Sequence, residues 1–342
     1  MDLSICIPTY NRIEQLDNCL NSIFIASKNV TNFSFEVCVS DNGTQEDVSK
    51  IIKKYENYIN INFNKNDKNL GFALNAIKAV SMGSGKYAWL IGNDDLLIPQ
   101  ALERLNHFFK NHKNVDYFFI NSYHLDTSFI EKFPHPFDTK NLENKKMKKL
   151  SSYNKNKEVN FWEIIDPKVS WEFLIGIFLS VFNREKWLQN VKVLNMNDLK
   201  NTEVWSNFDN TCMNAKIIAR SFKKSKAFIC SEALSVNIFG KREWRSLYEF
   251  VEIVRIPELI DYYRVEGLPY LKYMYCKNFA LRNFFNYFFK ILIGGKKSGL
   301  SYVNFKNHFL KNLIYPNSWL SILFYFYRKL IKLIKFEKKY EI

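Results

Sequence analysis

Short continuous apolar runs alternate with stretches whose apolar positions fall three and four apart through the first third of the chain. Runs of the first kind read as buried strands and stripes of the second kind as helices. Leu3–Pro8 predicts a strand, and Ile13, Leu16, Leu20, Ile23 and Phe24 predict a helix whose start is marked by Asn11 with Glu14 three residues on. Phe35–Ser40 predicts a second strand. Thr44 with Asp47 opens a helix running to about Tyr58, and Ile59–Phe63 forms a third strand. Ala73, Ala76, Ile77 and Val80 share one helical face, Tyr87–Ile91 is a central strand, Pro99 to about His112 a helix, and Val115–Tyr123 a strand. Strands alternating with helices predict an α/β domain with a Rossmann-like, mostly parallel, twisted sheet flanked by helices. Ligands of such sheets bind at the carboxyl ends of the strands, beside the point where strand order reverses.

Beyond residue 130 the pattern changes. Residues 1–130 form the first half, and 131–160 a mobile basic connector or lid, since Phe133-Pro134-His135-Pro136 breaks regular structure and 140–157 is rich in lysine. Residues 161–245 form a second half with a short helix at Arg184–Gln189, a longer one at Thr202–Phe222 and a strand at Ala227–Phe239. Residues 246–342 form a helical, aromatic-rich, basic extension. Its last segment, Trp319–Phe336, sets Arg328, Lys332, Lys335 and Lys339 on one side of a helix and Leu323, Phe326, Leu330, Leu333 and Ile334 on the other. That is the pattern of a helix lying in a membrane interface. No basic leader precedes Leu3, and no uncharged apolar run is long enough to span a bilayer. The expected location is cytoplasmic, peripheral on the inner face of the cytoplasmic membrane.

Charge sharpens the division. Of the 342 residues, the first 130 hold 12 basic and 14 acidic side chains, so the whole excess of +15 lies in the remainder. A basic second part implies phosphates, nucleic acid or an anionic membrane surface. The cysteines at 6, 19, 38, 212, 230 and 276 have no metal-ligand spacing and fall within predicted elements, which points to buried free thiols in a reducing compartment. The five histidines also lack metal spacing.

Candidate chemistry gathers at the predicted strand ends: Thr9 and Tyr10 after the first strand, Asp41 after the second, and Asn93-Asp94-Asp95 after the central one. A strand that ends in adjacent carboxylates lifts negative oxygens to a sheet rim, where a hard cation and an anionic ligand can meet. Gly83-Ser84-Gly85-Lys86 looks like part of a phosphate-binding loop, but it precedes a strand instead of following one and reads as a turn.

Together, Ile5-Cys6-Ile7-Pro8-Thr9-Tyr10-Asn11-Arg12, Val39-Ser40-Asp41-Asn42-Gly43, Asn69-Leu70-Gly71-Phe72 and Trp89-Leu90-Ile91-Gly92-Asn93-Asp94-Asp95 resemble the family-2 inverting glycosyltransferases with the A-type fold, in the abequosyltransferase-like branch of bacterial surface-polysaccharide assembly. The resemblance covers roughly residues 1–110. It implies that Thr9, Tyr10, Arg12, Asp41 and Asn93 bind the nucleotide, with Tyr10 stacking on the base, Asp41 accepting from it and Asn93 reaching the ribose. It implies Asp94, with Asp95, as ligands of a divalent cation (Mg²⁺ or Mn²⁺) on the diphosphate, and Lys241, Arg242 and Arg245 as diphosphate contacts. Most relatives carry aspartate where this chain has Gly92, or where it has Asn93, and a neutral Asn93 adds no charge for the metal. The acceptor base is expected in the second half, as Asp209 or Glu203. The implied partners are a nucleoside-diphosphate sugar and a glycan or lipid-linked glycan acceptor. Two other functions fit parts of the chain. A nucleotidyltransferase making sugar nucleotides would need a Gly-rich, Arg-containing loop where Pro8-Thr9-Tyr10-Asn11-Arg12 stands. A nucleic-acid-binding module would need a recognisable motif among the dispersed basic residues, and none is found.

Overall fold

The structure, a computed structural model, describes residues 1–28, 30–203, 205–240 and 243–337, with only the backbone for 243–244 and 328–337. The chain divides into two compact units, Met1–Val204 with Asp209–Arg242, and Trp205–Phe208 with Glu243–Ile342.

In the first unit the order is β1 (Leu3–Thr9), α1 (Ile13–Ser27), β2 (Phe35–Asp41), α2 (Ser49–Tyr55), β3 (Ile61–Lys65), α3 (Phe72–Met82), β4 (Tyr87–Leu90), β5 (Asp95–Leu97), α4 (Ala101–Asn111) and β6 (Tyr117–Asp126). After these come β7 (Lys148–Lys149), β8 (Lys157–Asn160), β9 (Ser180–Asn183), α5 (Arg184–Gln189), α6 (Phe208–Phe222) and β10 (Lys226–Phe239). Among the described residues these strands make a ten-stranded sheet in the order β3-β2-β1-β4-β9-β6-β10-β5, with β7 on β6 and β8 on β10. The β3-β2-β1-β4 half is parallel. β9 enters antiparallel between β4 and β6, and β5 antiparallel beside β10, so the sheet is mixed where a mostly parallel one is expected. Every residue of β1 is buried, as a strand covered on both faces requires. The cysteines are all free and buried, as expected.

Several boundaries differ for local reasons. Asn11 does not cap α1; it takes a left-handed φ of 50° and donates its N–H to Thr44 Oγ1, while Arg12 occupies the N-cap without a side-chain capping bond. Thr44 likewise does not open α2, because its hydroxyl and N–H both go to Asp41; the helix begins at Ser49. α6 starts at Phe208 instead of Thr202, after Trp205 with φ 69°. The 83–86 segment is a turn at the opposite end of the sheet from the strand carboxyl ends. Glu36 Oε1 accepts from Ser4 Oγ (2.8 Å), Ser84 N–H (2.5 Å) and Ser84 Oγ (2.8 Å). A Cβ on Gly83 or Gly85 would lie 2.5 or 2.6 Å from atoms of Ser4, so close approach requires glycine at both.

The segment expected as a mobile lid, 131–160, is tied down. His135 Nε2 lies 2.9 Å from Asp17 Oδ2, and the backbone N–H and carbonyl of Phe137 bond to Asn18 and Asn21 of α1. Phe137 is buried with Leu96, Leu125 and Val236. The lysines that read as a solvated run flank a small core.

The second unit is helical, with α7 (Ile256–Glu266), α8 (Tyr270–Ala280), α9 (Phe284–Gly294) and α10 (Pro316–Glu337). Its core gathers Phe250, Ile253, Val254, Leu281, Phe284, Phe288, Ile291 and Tyr315. A buried ionic relay runs beside it. Arg255 Nη2 donates to the carbonyls of Trp205 (3.1 Å) and Ser206 (3.0 Å), and Nη1 to Glu258 Oε2 (2.7 Å). Glu258 Oε1 lies 2.8 Å from His308 Nε2, while His308 Nδ1 accepts from Asn304 N–H, so the ring proton sits on Nε2 and is donated to Glu258. Burial raises the Glu258 carboxyl pKa, but the His308 bond and the Arg255 charge outweigh it and bring it below its ordinary value. This arrangement holds the left-handed turn at Trp205.

Candidate active site

β1 lies between β2 and β4, so strand order reverses there, and the loops leaving β1, β2 and β4 converge at the carboxyl ends. Thr9 and Asp41 are register partners. Thr9 is almost fully buried, and its hydroxyl accepts from Asn93 Nδ2 at 2.8 Å, which ties the β4 loop to the end of β1. Tyr10 next to it is 41 % exposed, a ring available for stacking. Arg12 Nη1 reaches Asp94 Oδ2 at 3.2 Å, with both side chains partly exposed. The structure therefore brings Thr9, Tyr10, Arg12, Asp41, Asn93 and Asp94 to one place.

Asp41 is fully buried. Its Oδ1 receives the Thr44 N–H (3.1 Å) and hydroxyl (2.5 Å), while its Oδ2 is buried with no hydrogen-bond partner. A buried carboxylate oxygen without a donor is costly, and the cost is recovered when a ligand supplies an N–H or O–H. Asparagines missed by sequence reasoning build the floor beneath it. Asn42 donates to Asn69 Oδ1 (2.8 Å) and accepts from Leu70 N–H (2.8 Å). Asn75 donates to the Ser40 carbonyl (2.9 Å) and accepts from Ser40 Oγ (2.8 Å). Asn42 and Asn69 fall within the motifs quoted above, whereas Asn75 is signalled only by the density of asparagine between 60 and 75, which also fits ordinary turns.

At the end of β4 the two carboxylates part. Asp95 is buried: Oδ2 accepts from Gly92 N–H (2.7 Å) and Oδ1 from Asn237 Nδ2 (2.7 Å). Expected as a second cation ligand, it closes the 92–95 turn instead. Asp94 stays at the rim. A Cβ on Gly92 would lie 2.6 Å from Asp94 Oδ1, so the absent side chain leaves Asp94 its position. Beneath, the Cys19 thiol lies 3.9 Å from the Gly92 carbonyl. Burial first, and then the charges of Asp95 and Asp94, push it well above its ordinary pKa, so it remains protonated. With Arg12 as the nearby cation and Asp41, Asp94 and Asp95 as acids, the residues gathered here carry negative charge. Among the described residues no three His, Cys, Asp or Glu side chains converge to hold a metal by themselves. One rim carboxylate suits Mg²⁺ or Mn²⁺, which keep water and take substrate phosphates as ligands, better than a closed protein cage.

The remaining expected residues lie elsewhere. Asp209, in the first turn of α6, is buried; Lys216 Nζ lies 2.6 Å from its Oδ1, and Oδ2 accepts from Asn195 N–H at 2.6 Å. Expected to face an acceptor, it is paired inside the fold. Glu203 is exposed, and Thr202 next to it passes over the site's Asn-Leu-Gly loop: a Cβ on Gly71 would lie 3.3 Å from Thr202 Cα. Arg245 is exposed in the second unit, and Lys241 and Arg242 lie outside the described residues.

Fold and strand ends together define an α/β domain that gathers Thr9, Arg12, Asp41, Asn93 and Asp94 at its switch point. Residues 4–162 match the family model described as glycosyl transferase family 2, so the chain carries a glycosyltransferase family 2 domain. The abequosyltransferase RfbV of Salmonella typhimurium is 36% identical over 117 residues, 34% of each chain. A chondroitin synthase of Pasteurella multocida is 36% identical over 100 residues, 29% of this chain and 10% of that one. The chain thus spans about a third or less of the length of these two relatives. The structure of Staphylococcus aureus TarS residues 1–349 in complex with UDP superimposes with a TM-score of 0.55 at 16% identity, covering 86% of this chain and 74% of that one. That likeness establishes a shared fold and, at 86% of the chain, reaches beyond residue 162.

Proposed function

We propose that the protein moves a sugar from a nucleoside diphosphate to a hydroxyl of a lipid-linked or lipid-anchored glycan, with inversion and with help from a divalent cation. The observation that carries this reading is Asp41 Oδ2, buried and without a donor, beside Thr9, Asn93 and the rim carboxylate of Asp94. Asp41 accepts the ring N–H of a base, which uracil, thymine and guanine present and cytosine does not. TarS, whose fold is shared, has been captured with UDP and with UDP-GlcNAc, which supports a uridine donor. Tyr10 stacks on the base and Asn93 bonds the ribose. Asp94 would hold Mg²⁺ or Mn²⁺, which when bound would stabilise negative charge on a diphosphate leaving group. Arg12 keeps Asp94 oriented through their ion pair. Glu203, exposed beside the Gly71 loop, removes the acceptor proton. Asp209, paired with Lys216, fixes the start of α6. Arg245, with Lys241 and Arg242, remains the proposed set of diphosphate contacts.

The acceptor class follows from the charge distribution: the basic C-terminal part suits a glycan carried at an anionic membrane surface inside the cell. The test is nucleoside-diphosphate release from UDP-, GDP-, CDP- and dTDP-sugars with Mn²⁺, with and without a lipid-linked glycan. Acceptor-stimulated release, lost in Glu203→Gln with nucleotide affinity retained, is the expected result. Pyrophosphate release from a nucleoside triphosphate and a sugar phosphate, with no release from any sugar nucleotide, would overturn the proposal.

A further inference from the structure

The outer face of α10 is apolar where a helix on a soluble protein is polar. Trp319, Leu320, Leu323, Phe324 and Tyr327 follow one another at helical spacing, and each is between 43% and 66% exposed. The opposite face is the polar one: Ser318 and Ser321 are buried, with their hydroxyls donated to the carbonyls of Asn312 and Ser318. Serine hydroxyls satisfied inside and large apolar side chains left outside invert the usual amphipathic arrangement. It also alters the expectation for this segment, because the exposed stripe is Trp- and Tyr-bearing and begins at Trp319.

α9 extends the feature. It lies beside α10 through Phe285 against Trp319 (5.9 Å between ring centroids) and Phe289 against Tyr325 (6.2 Å). Its Phe289, Leu292 and Ile293, at positions i, i+3 and i+4, are exposed as well, Ile293 by 88%. Exposed Lys296 and Lys297 follow directly. The charge along this stretch is strongly basic: residues 267–336 contain twelve basic and no acidic side chains, with Glu249 reaching Lys290 of α9 at 2.8 Å and Glu337 closing α10.

That charge selects among occupants. A second copy would set two predominantly basic surfaces against each other. No helix among the described residues is long and apolar enough to cross a membrane. An anionic bilayer offers both what the apolar stripe needs and what the lysines need, and Trp and Tyr favour its interfacial layer. We propose that the outward faces of α9 and α10 seat in the headgroup layer of an anionic membrane, with Lys296 and Lys297 on its phosphates. This deepens the membrane part of the reading above without depending on its chemistry, since vesicle binding and turnover are scored separately.

The experiment is flotation of the full chain with vesicles of phosphatidylcholine alone or with phosphatidylglycerol added, at low and high salt. Wild type floats with the anionic vesicles and is released by salt. Leu323→Asp with Phe324→Asp weakens flotation by at least about tenfold, and Lys296→Glu with Lys297→Glu by at least about tenfold, roughly fivefold or less per lysine. All variants keep the wild-type circular dichroism and the wild-type affinity for UDP with Mn²⁺. No flotation by wild type, or flotation unchanged in both double variants, overturns the proposal. So does a dimer by light scattering that Leu323→Asp with Phe324→Asp converts to monomer while no vesicle binding is seen. Loss of sugar-nucleotide turnover with flotation intact would count against the catalytic reading alone.

Discussion

Asp41→Asn separates the two jobs of one side chain. Asp41 Oδ1 is held by the Thr44 N–H and hydroxyl, whereas Oδ2 is buried with nothing donated to it. Asparagine keeps an oxygen for Thr44 and replaces the second oxygen with a donor. In the free protein a buried charge disappears and an unpaired amide N–H₂ takes its place. These effects oppose each other, and Tm should stay within about 4 °C of wild type, the shift of roughly 1 kcal/mol in a domain of this size. With a nucleotide bound the effects no longer cancel. A hydrogen bond to a charged acceptor is worth about 1.5–3 kcal/mol, which is a factor of about 10 to 150 in affinity, and the new N–H faces the N–H of the base. Isothermal titration with UDP and Mn²⁺ should therefore show Kd raised by that factor. CDP, whose ring nitrogen accepts, should bind the variant no worse than the wild type. Unchanged UDP affinity in a folded variant would refute the assignment of Oδ2 to the base.

Other substitutions probe the rim and the far end of the sheet. Asp94→Ala removes a partly exposed ion pair with Arg12, so its stability cost should be below about 1 kcal/mol by denaturant titration, while sugar-nucleotide turnover with Mn²⁺ falls by at least about a hundredfold. Gly92→Ala places a Cβ 2.6 Å from Asp94 Oδ1, the movable end of that side chain. It should weaken Mn²⁺ dependence severalfold at little cost in Tm, and equal loss of both would contradict the reasoning. Glu36→Ala deletes three hydrogen bonds to one carboxylate and should cost about 2–3 kcal/mol. Burial raises the Glu36 pKa, but the bonds from Ser84 and Ser4 outweigh it and leave the carboxyl below its ordinary value. Its contribution is therefore complete above the ordinary carboxylate range and is lost as pH falls through the lowered value. Wild type and Glu36→Ala should differ in urea midpoint at pH 7 and converge as the solution is acidified below pH 4.

The parts of the fold legible in the sequence are those whose environment is uniform along the chain. β1, β2 and β4 are covered on both faces and read as continuous apolar runs, and β10 announces itself by length. β5 was hidden because three residues carry no period and its partner strand lies some 140 residues on, with Asn237 opposite Asp95. β9 is equally short and sits in an irregular apolar stretch. At the strand ends, Asp41 closes β2 and Asp94 lies in the turn after β4, positions that the apolar runs before them mark in the sequence. The difference between Asp94 and Asp95 was not legible, since it depends on Gly92 and Asn237 taking both oxygens of one and not the other. The surroundings of Asp209 were hidden for the same reason: a helix-start acid looks solvent-facing until Lys216 and Asn195 are seen to enclose it.

The central claim is that Asp94 binds a divalent cation together with a nucleotide diphosphate at the switch point of the sheet. Electron paramagnetic resonance of Mn²⁺ tests it most directly, because bound Mn²⁺ loses the sharp six-line signal of the free ion. The account predicts that wild type with UDP suppresses that signal beyond what UDP alone does, that protein without UDP suppresses it far less, and that Asp94→Ala with UDP behaves like UDP alone. Equal suppression by wild type and Asp94→Ala, at equal UDP occupancy, would contradict it.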